Sequence, residues 1–182
     1  GPLARFCRLV ADHGLLDAVE LAMPGDLTRL AQMDAVREAV PAGVNARVAS
    51  ARARHGAAVK KTAADMIVPW QRFPEMLGAC RRLFEARGLD YAIWGHISDG
   101  NVHPNVLPRC AEDVEAGVEA ILALGREVIA MGGCPLAEHG VGRHPVKKAL
   151  LRMLHGEDGL AAMRAVKAAL DPEGRLAPGV LL

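Results

Sequence analysis

Helical spacing of apolar positions dominates both ends of the chain and gives way in the middle to short apolar runs bounded by Pro and Gly. Over residues 3–16 the text FCRLVADHGLL predicts a helix that stops near Gly14, and the apolar link AVELAMP that follows reads as a strand. Pro24-Gly25-Asp26 supplies a turn and an N-cap, after which Leu27, Leu30, Val36 and Val40 keep helical spacing up to Pro41. The Arg- and Ala-rich stretch from Asn45 to Ala58 suits either a helix or a mobile excursion. Residues 59–69 end in a β-branched run closed by proline, which reads as a strand.

Met76, Leu77, Cys80 and Phe84 mark the buried side of a helix over about residues 73–87, with Gly88 as its stop. Residues 89–95 and 102–107 form the next two strands. Val114, Val118, Ile121, Leu122, Val128 and Ile129 then line one face of a long amphipathic helix that ends at Gly132-Gly133. Two further helices, over 146–154 and 160–170, close the chain, the second stopped by Asp171-Pro172. Strand, helix, strand, strand, helix is the order of a ferredoxin-like, split βαβ arrangement. The expected fold is therefore α+β: an antiparallel sheet with helices packed on one face, plus C-terminal helices.

One stretch departs from this apolar logic. Residues 95–105 read GHISDGNVHPN, with His96 and His103 on either side of an Asp-Gly-Asn turn signal. In a hairpin, alternation puts Asn101, His103 and Asn105 on one face and Val102 and Val106 on the other. Amide, imidazole and amide make a poor core face and a good wall for a polar site. A second polar pair, Glu138-His139, sits in the glycine-rich text GGCPLAEHGVGRH, where the backbone can approach a ligand closely. Two neutral imidazoles and a carboxylate suit Zn²⁺ or a similar ion, with one position left open. His96, His103 and Glu138 would supply them, and His139 would stand beside the ion. Imidazoles that merely satisfy hydrogen bonds are the alternative, and this is the reading for His13, His55 and His155.

Composition narrows the class. The 182 residues are enough for one domain with a real core, expected to span 3–182, and with 51% hydrophobic but only 3% aromatic residues that core must be filled by Ala, Val and Leu. At a net charge of +1, with Arg47 to Arg54 broken up by Ala, no basic patch argues for nucleic acid. No apolar run reaches the ~18 residues that span a bilayer, and no charged-then-apolar leader precedes the fold. Cys7, Cys80, Cys110 and Cys134 are dispersed and form no Cys-x-x-Cys pair, which favours reduced thiols and a cytoplasmic setting.

GHISDGNVHPN resembles the Gly-His-x-Gly-Asp-Gly-Asn-x-His motif in the C-terminal domain of FAD-linked oxidases of the vanillyl-alcohol oxidase and D-lactate dehydrogenase superfamily. REAVPAGVN at Arg37, KKTAADMIVPWQRFPEML at Lys60, and AEHGVGRHPVKKALLRMLHG with MRAVKAALDPEGRLAPGVLL agree in the right order. Glycolate oxidase, D-lactate dehydrogenase and D-2-hydroxyglutarate dehydrogenase are among the proteins that it resembles. Ser98 stands where the family usually has Gly, and Pro41 where some relatives carry a substrate-contacting Thr. His144 is read as structural.

The resemblance implies a 2-hydroxy acid as substrate, oxidised to the 2-oxo acid between this domain and a flavin. Arg37 and Lys61, with Lys60 as alternate, would hold its carboxylate, and Asn105 would contact substrate or flavin. A divalent metal, Zn by preference, on His96, His103 and Glu138 would take the 2-hydroxyl, and His139, next to the flavin, would accept its proton. FAD would be bound mainly by an N-terminal domain missing from this chain, whose partner that domain would be, so the isolated chain is expected to be inactive. A homodimer is compatible with this, as is attachment to the periphery of the inner membrane. Two other classes stand beside it, a stand-alone metal-dependent hydrolase and a non-catalytic interaction domain.

Overall fold

A computed structural model describes residues 1–182 and divides them into two compact units, Gly1–Gly43 and Val44–Leu182. In the first unit, α1 (Pro2–Asp12) opens on a proline, whose missing N–H would have had no helical partner there. The chain leaves α1 through Gly14 at φ +66, as expected of a helix stop. Residues 18–24, read above as a strand, form none: a 3₁₀ turn at Leu16–Ala18 leads into unpaired backbone. A short apolar run does not make a strand without a ladder partner, and all four strands lie in the other unit.

Asp26 caps α2 (Leu27–His55), accepting the Arg29 N–H at 2.9 Å. The expected stop at Pro41 is not taken, and the Arg- and Ala-rich stretch continues the helix to His55. Interior proline costs a helix about 3 kcal/mol. The residues beyond it repay that, because Val44, Val48 and Ala51 are buried in the second unit.

The second unit is built on a sheet of β1 (Thr62–Ala63), β2 (Met66–Ile67), β3 (Tyr91–Trp94) and β4 (Asn101–Val106). β4 is central. It runs antiparallel to β3, with Trp94 opposite His103, and antiparallel to β1 and β2, with Ala63 opposite Asn105 and Met66 opposite Val102. β1 and β2 keep one register, so the strand expected over 59–69 is present but shorter and interrupted at 64–65. Pro104 explains the gap: its carbonyl accepts the Ala64 N–H at 3.0 Å, but it has no N–H to return. Across that gap Asp65 falls opposite His103.

Residues 134–137 add a further edge. Ile67 and Cys134 exchange N–H···O bonds of 2.9 and 2.8 Å, and Ala137 N–H donates to the Asp65 carbonyl at 3.0 Å. Edge segment, β1/β2, β4, β3 is the spatial order of the ferredoxin-like arrangement. Val102 and Val106 point into the main core with Met76, Cys80 and Phe84 of α3 (Phe73–Glu85) and Ile121, Leu124 and Val128 of α4 (Ala111–Ala130). The two closing helices are both present, within Pro145–Leu170 (α5), and are separated at Gly156, whose φ of 65 and ψ of −177 are not helical. No helix is long and apolar enough to cross a membrane.

Candidate functional site

The sheet turns one face to the core and the other to the site. On β4 the second face carries Asn101, His103 and Asn105, all at least nine-tenths buried, because β3 and β1/β2 flank them on both sides. Ala92 and Trp94 share this face, and Val44, Val48 and Leu107 pack over them, covering one end of it. His103 stands at the uncovered end.

The hairpin aims His96 at it. A 3₁₀ turn at Ile97–Asp99 closes through Gly100 at φ +74, and the His96 carbonyl accepts the N–H groups of Asp99 and Asn101 at 2.9 and 3.3 Å. Gly95 lies so close to β4 that a Cβ there would strike the Asn101 carbonyl. The His96 and His103 rings thus meet edge to face with centroids 5.8 Å apart.

The edge segment brings the rest. Oδ2 of Asp65, a residue 2% exposed, accepts the Glu138 N–H at 2.7 Å and the His139 N–H at 2.5 Å. Its Oδ1 accepts the Asn101 side-chain amide at 3.1 Å. With the 138–139 backbone held, Glu138 Oε1 lies 2.9 Å from His103 Nε2, 3.4 Å from His139 Nε2 and 3.6 Å from His96 Nε2. The His139 ring stacks on His103 with centroids 4.6 Å apart. One ligand atom from each of His96, His103 and Glu138 lies within 4.8 Å of the other two.

Electrostatics suit a cation. Burial holds the His103 pKa below the usual imidazole value against the pull of Asp65 and Glu138, with His139 and His96 reinforcing burial. A metal requires the neutral imidazole that results. For Asp65, burial pushes the carboxyl up, but the backbone N–H bonds of His139 and Glu138 and the Asn101 amide outweigh it and hold the pKa below the usual carboxylate value. Asp65 is therefore a fixed negative charge beneath the two stacked rings. Two imidazoles and a carboxylate meeting at a partly open point fit a divalent ion, Zn²⁺ included.

Of the residues singled out in the sequence, His96, His103 and Glu138 come together with His139 beside them. Lys61 is half-buried, its Nζ donating to Asn45 at 3.1 Å and lying 5.9 Å from the centre of the Trp94 ring, on the same face of the sheet as His103. Asn105, 1% exposed, spends its amide on the His103 carbonyl at 2.7 Å, so any contact with a ligand would require that amide to turn. Arg37 belongs to the first unit, exposed on α2. Asp65 was not singled out, although an acidic residue inside the apolar text AADMIVP is a signal in itself, since a carboxylate buried with its strand must find partners.

Relatives include the glycolate oxidase subunit GlcD of Bacillus subtilis, 32% identical over 63% of this chain and 24% of that protein. A probable mitochondrial D-lactate dehydrogenase of Danio rerio is 31% identical over 68% of this chain and 25% of its own length. The D-2-hydroxyglutarate dehydrogenase of Escherichia coli K12 is 32% identical over 64% of this chain and 11% of its length. The chain thus spans about a quarter of the length of the first two and less of the third. Residues 5–181 match the family described as FAD linked oxidases, C-terminal domain. With nearly its whole length in that match, the chain belongs to the family of FAD linked oxidases, C-terminal domain.

Proposed function

We propose that this chain is the substrate- and metal-binding portion of an FAD-linked oxidoreductase that converts a 2-hydroxy acid of the D-lactate, glycolate or D-2-hydroxyglutarate class to the 2-oxo acid. The observation that carries the reading is the meeting of three imidazole Nε2 atoms on one Glu138 oxygen, the closest at 2.9 Å. The chain's membership of the family and the names of its relatives support the substrate class.

His96, His103 and Glu138 would hold a divalent ion, which when bound supplies Lewis acidity toward a hydroxyl oxygen. His139 receives the hydroxyl proton at Nε2, its ring fixed by stacking on His103 and its side chain 56% exposed on the open side. Lys61 attracts the substrate carboxylate. FAD, implied by the family, supplies the two-electron acceptor; it would be bound mainly by a part of the protein matching the relatives' remaining length. The half-exposed side chains of His96, Glu138 and His139 leave the site open for it.

Two measurements test the reading. Zn²⁺ or Co²⁺ titrated into the metal-free chain should bind one ion per chain, and no binding would remove the metal assignment. In the flavin-bearing protein, D-lactate, glycolate or D-2-hydroxyglutarate should bleach the flavin anaerobically. A metal-loaded chain that hydrolyses esters, in a protein whose flavin none of the three acids reduces, would point to the hydrolase reading instead.

A further inference from the structure

We propose that Asp65 is the positioning residue of this site: it accepts the Nδ1–H of His103 in the loaded state and so leaves the Nε2 lone pair facing the ion. The inference rests on the metal reading above and adds to it a residue and a task.

Three observations carry it. The register of β1 and β2 on β4 sets Asp65 opposite His103, and its Oδ1 lies 3.5 Å from His103 Nδ1. That nitrogen is buried and has no hydrogen-bond partner. A neutral imidazole carries one proton, on Nδ1 or Nε2. Without an ion, Glu138 at 2.9 Å competes for it at Nε2. When Nε2 and Glu138 both turn to an ion, the proton must sit on Nδ1, where only an acceptor can receive it. A carboxylate with about four lone-pair sites can serve Nδ1 from Oδ1 while keeping the Asn101 amide on that oxygen and two backbone N–H groups on Oδ2. Metal-bound histidines commonly give their other N–H to such a partner, which fixes the ring and raises its basicity.

The same cluster offers another use of Asp65. Its carboxylate, His103 and His139 also place ligand atoms within 4.8 Å of one another. That set is the weaker metal site, because both Asp65 oxygens already accept donors and the residue is only 2% exposed, whereas Glu138 and His96 are open. Orienting, not ligating, is the use that its hydrogen bonds leave.

Asp65→Asn separates these possibilities. The two backbone N–H groups need an oxygen, so the new amide keeps Oδ1 on them and turns its NH₂ toward His103 and Asn101. Asn101 can turn its own unpartnered Oδ1 to receive one N–H. The other meets His103 Nδ1 and demands its lone pair, which forces the proton onto Nε2. The fold is kept while the ligand nitrogen is blocked. Calorimetric Zn²⁺ titration should show one ion on the full chain and an affinity about 10–100-fold weaker in Asp65→Asn, with the circular dichroism of both proteins alike. Long-range ¹H–¹⁵N spectra of histidine rings should show His103 of the Zn²⁺-loaded wild type protonated at Nδ1 and metal-shifted at Nε2, and His103 of the variant protonated at Nε2. The wild-type spectrum needs no variant, so it decides even if Asp65→Asn fails to fold. Equal affinity of the two proteins, a metal-shifted Nδ1, or two ions on the wild type would overturn the proposal while the metal reading stands. No ion on the wild type would overturn both.

Discussion

Replacing His103 by Ala should leave a folded chain that no longer responds to metal, and the structure sets the size of both effects. The side chain is 9% exposed, and its ring stacks on His139 and meets Glu138 at 2.9 Å. Its removal does not strand the buried carboxylate beneath it, because Asp65 keeps three donors: the N–H groups of Glu138 and His139 and the Asn101 amide. The cost should therefore be that of one modest hydrogen bond and some lost packing, about 1–2 kcal/mol, well short of the penalty for an orphaned buried charge. For a chain of this length each kcal/mol moves the melting temperature by about 2–4 °C, so the metal-free variant should melt about 2–8 °C below wild type. Zn²⁺ at a hundred times its dissociation constant stabilises the wild type by about 2.7 kcal/mol, or about 5–11 °C, by mass action. The variant should gain nothing at the same concentration. Scanning calorimetry of both proteins with and without Zn²⁺ measures all four temperatures. A variant that gains as much from Zn²⁺ as wild type would refute His103 as a ligand, and a metal-free loss far above the expected range would refute the account of Asp65 as independently satisfied.

Gly133→Ala places a Cβ against the Ile67 carbonyl, so it should destabilise the chain by about 1–3 kcal/mol and weaken Zn²⁺ binding by loosening residues 134–137; an unchanged melt and titration would refute the role of that edge. Stability of the metal-free protein should fall as pH drops below the ordinary imidazole value of about 6.5. Burial keeps the folded-state pKa of His103 lower than that, so the unfolded chain takes up the proton first, and His103→Ala should flatten the fall in a pH series of urea melts. Burial pushes the Cys80 thiol up to about 12, so iodoacetamide should label Cys80 of the native protein last of the four cysteines, and labelling at the rate of Cys134 would contradict its place in the core.

What could be read from the sequence follows from how far each feature's cause lies along the chain. The buried faces of α3 and α4 were legible because helical spacing is local: Met76, Cys80 and Phe84, or Ile121 and Val128, name their own side. The stop expected at Pro41 failed because local propensity was outweighed by the burial of Val44, Val48 and Ala51. The strand expected over 18–24 failed for a related reason, since a short apolar run does not report the existence of a partner. His96 and His103 were legible together because one short hairpin joins them. Glu138 was reached from its glycine-rich surroundings and the family resemblance, and its meeting with the two imidazoles depends on an edge pairing between Ile67 and Cys134 that no local pattern specifies. Asp65 depends on more still. Its position opposite His103 requires the register of β1 and β2 on β4, and its charge is tolerated because that register delivers an amide from the hairpin while the edge segment delivers two backbone N–H groups. A buried carboxylate with three donors joins those two segments beneath the open cluster. The polar wall seen first at residues 101–105 is thus half of a structure whose other half is Asp65, and the same hydrogen bonds that stabilise its charge hold the candidate ligands in place.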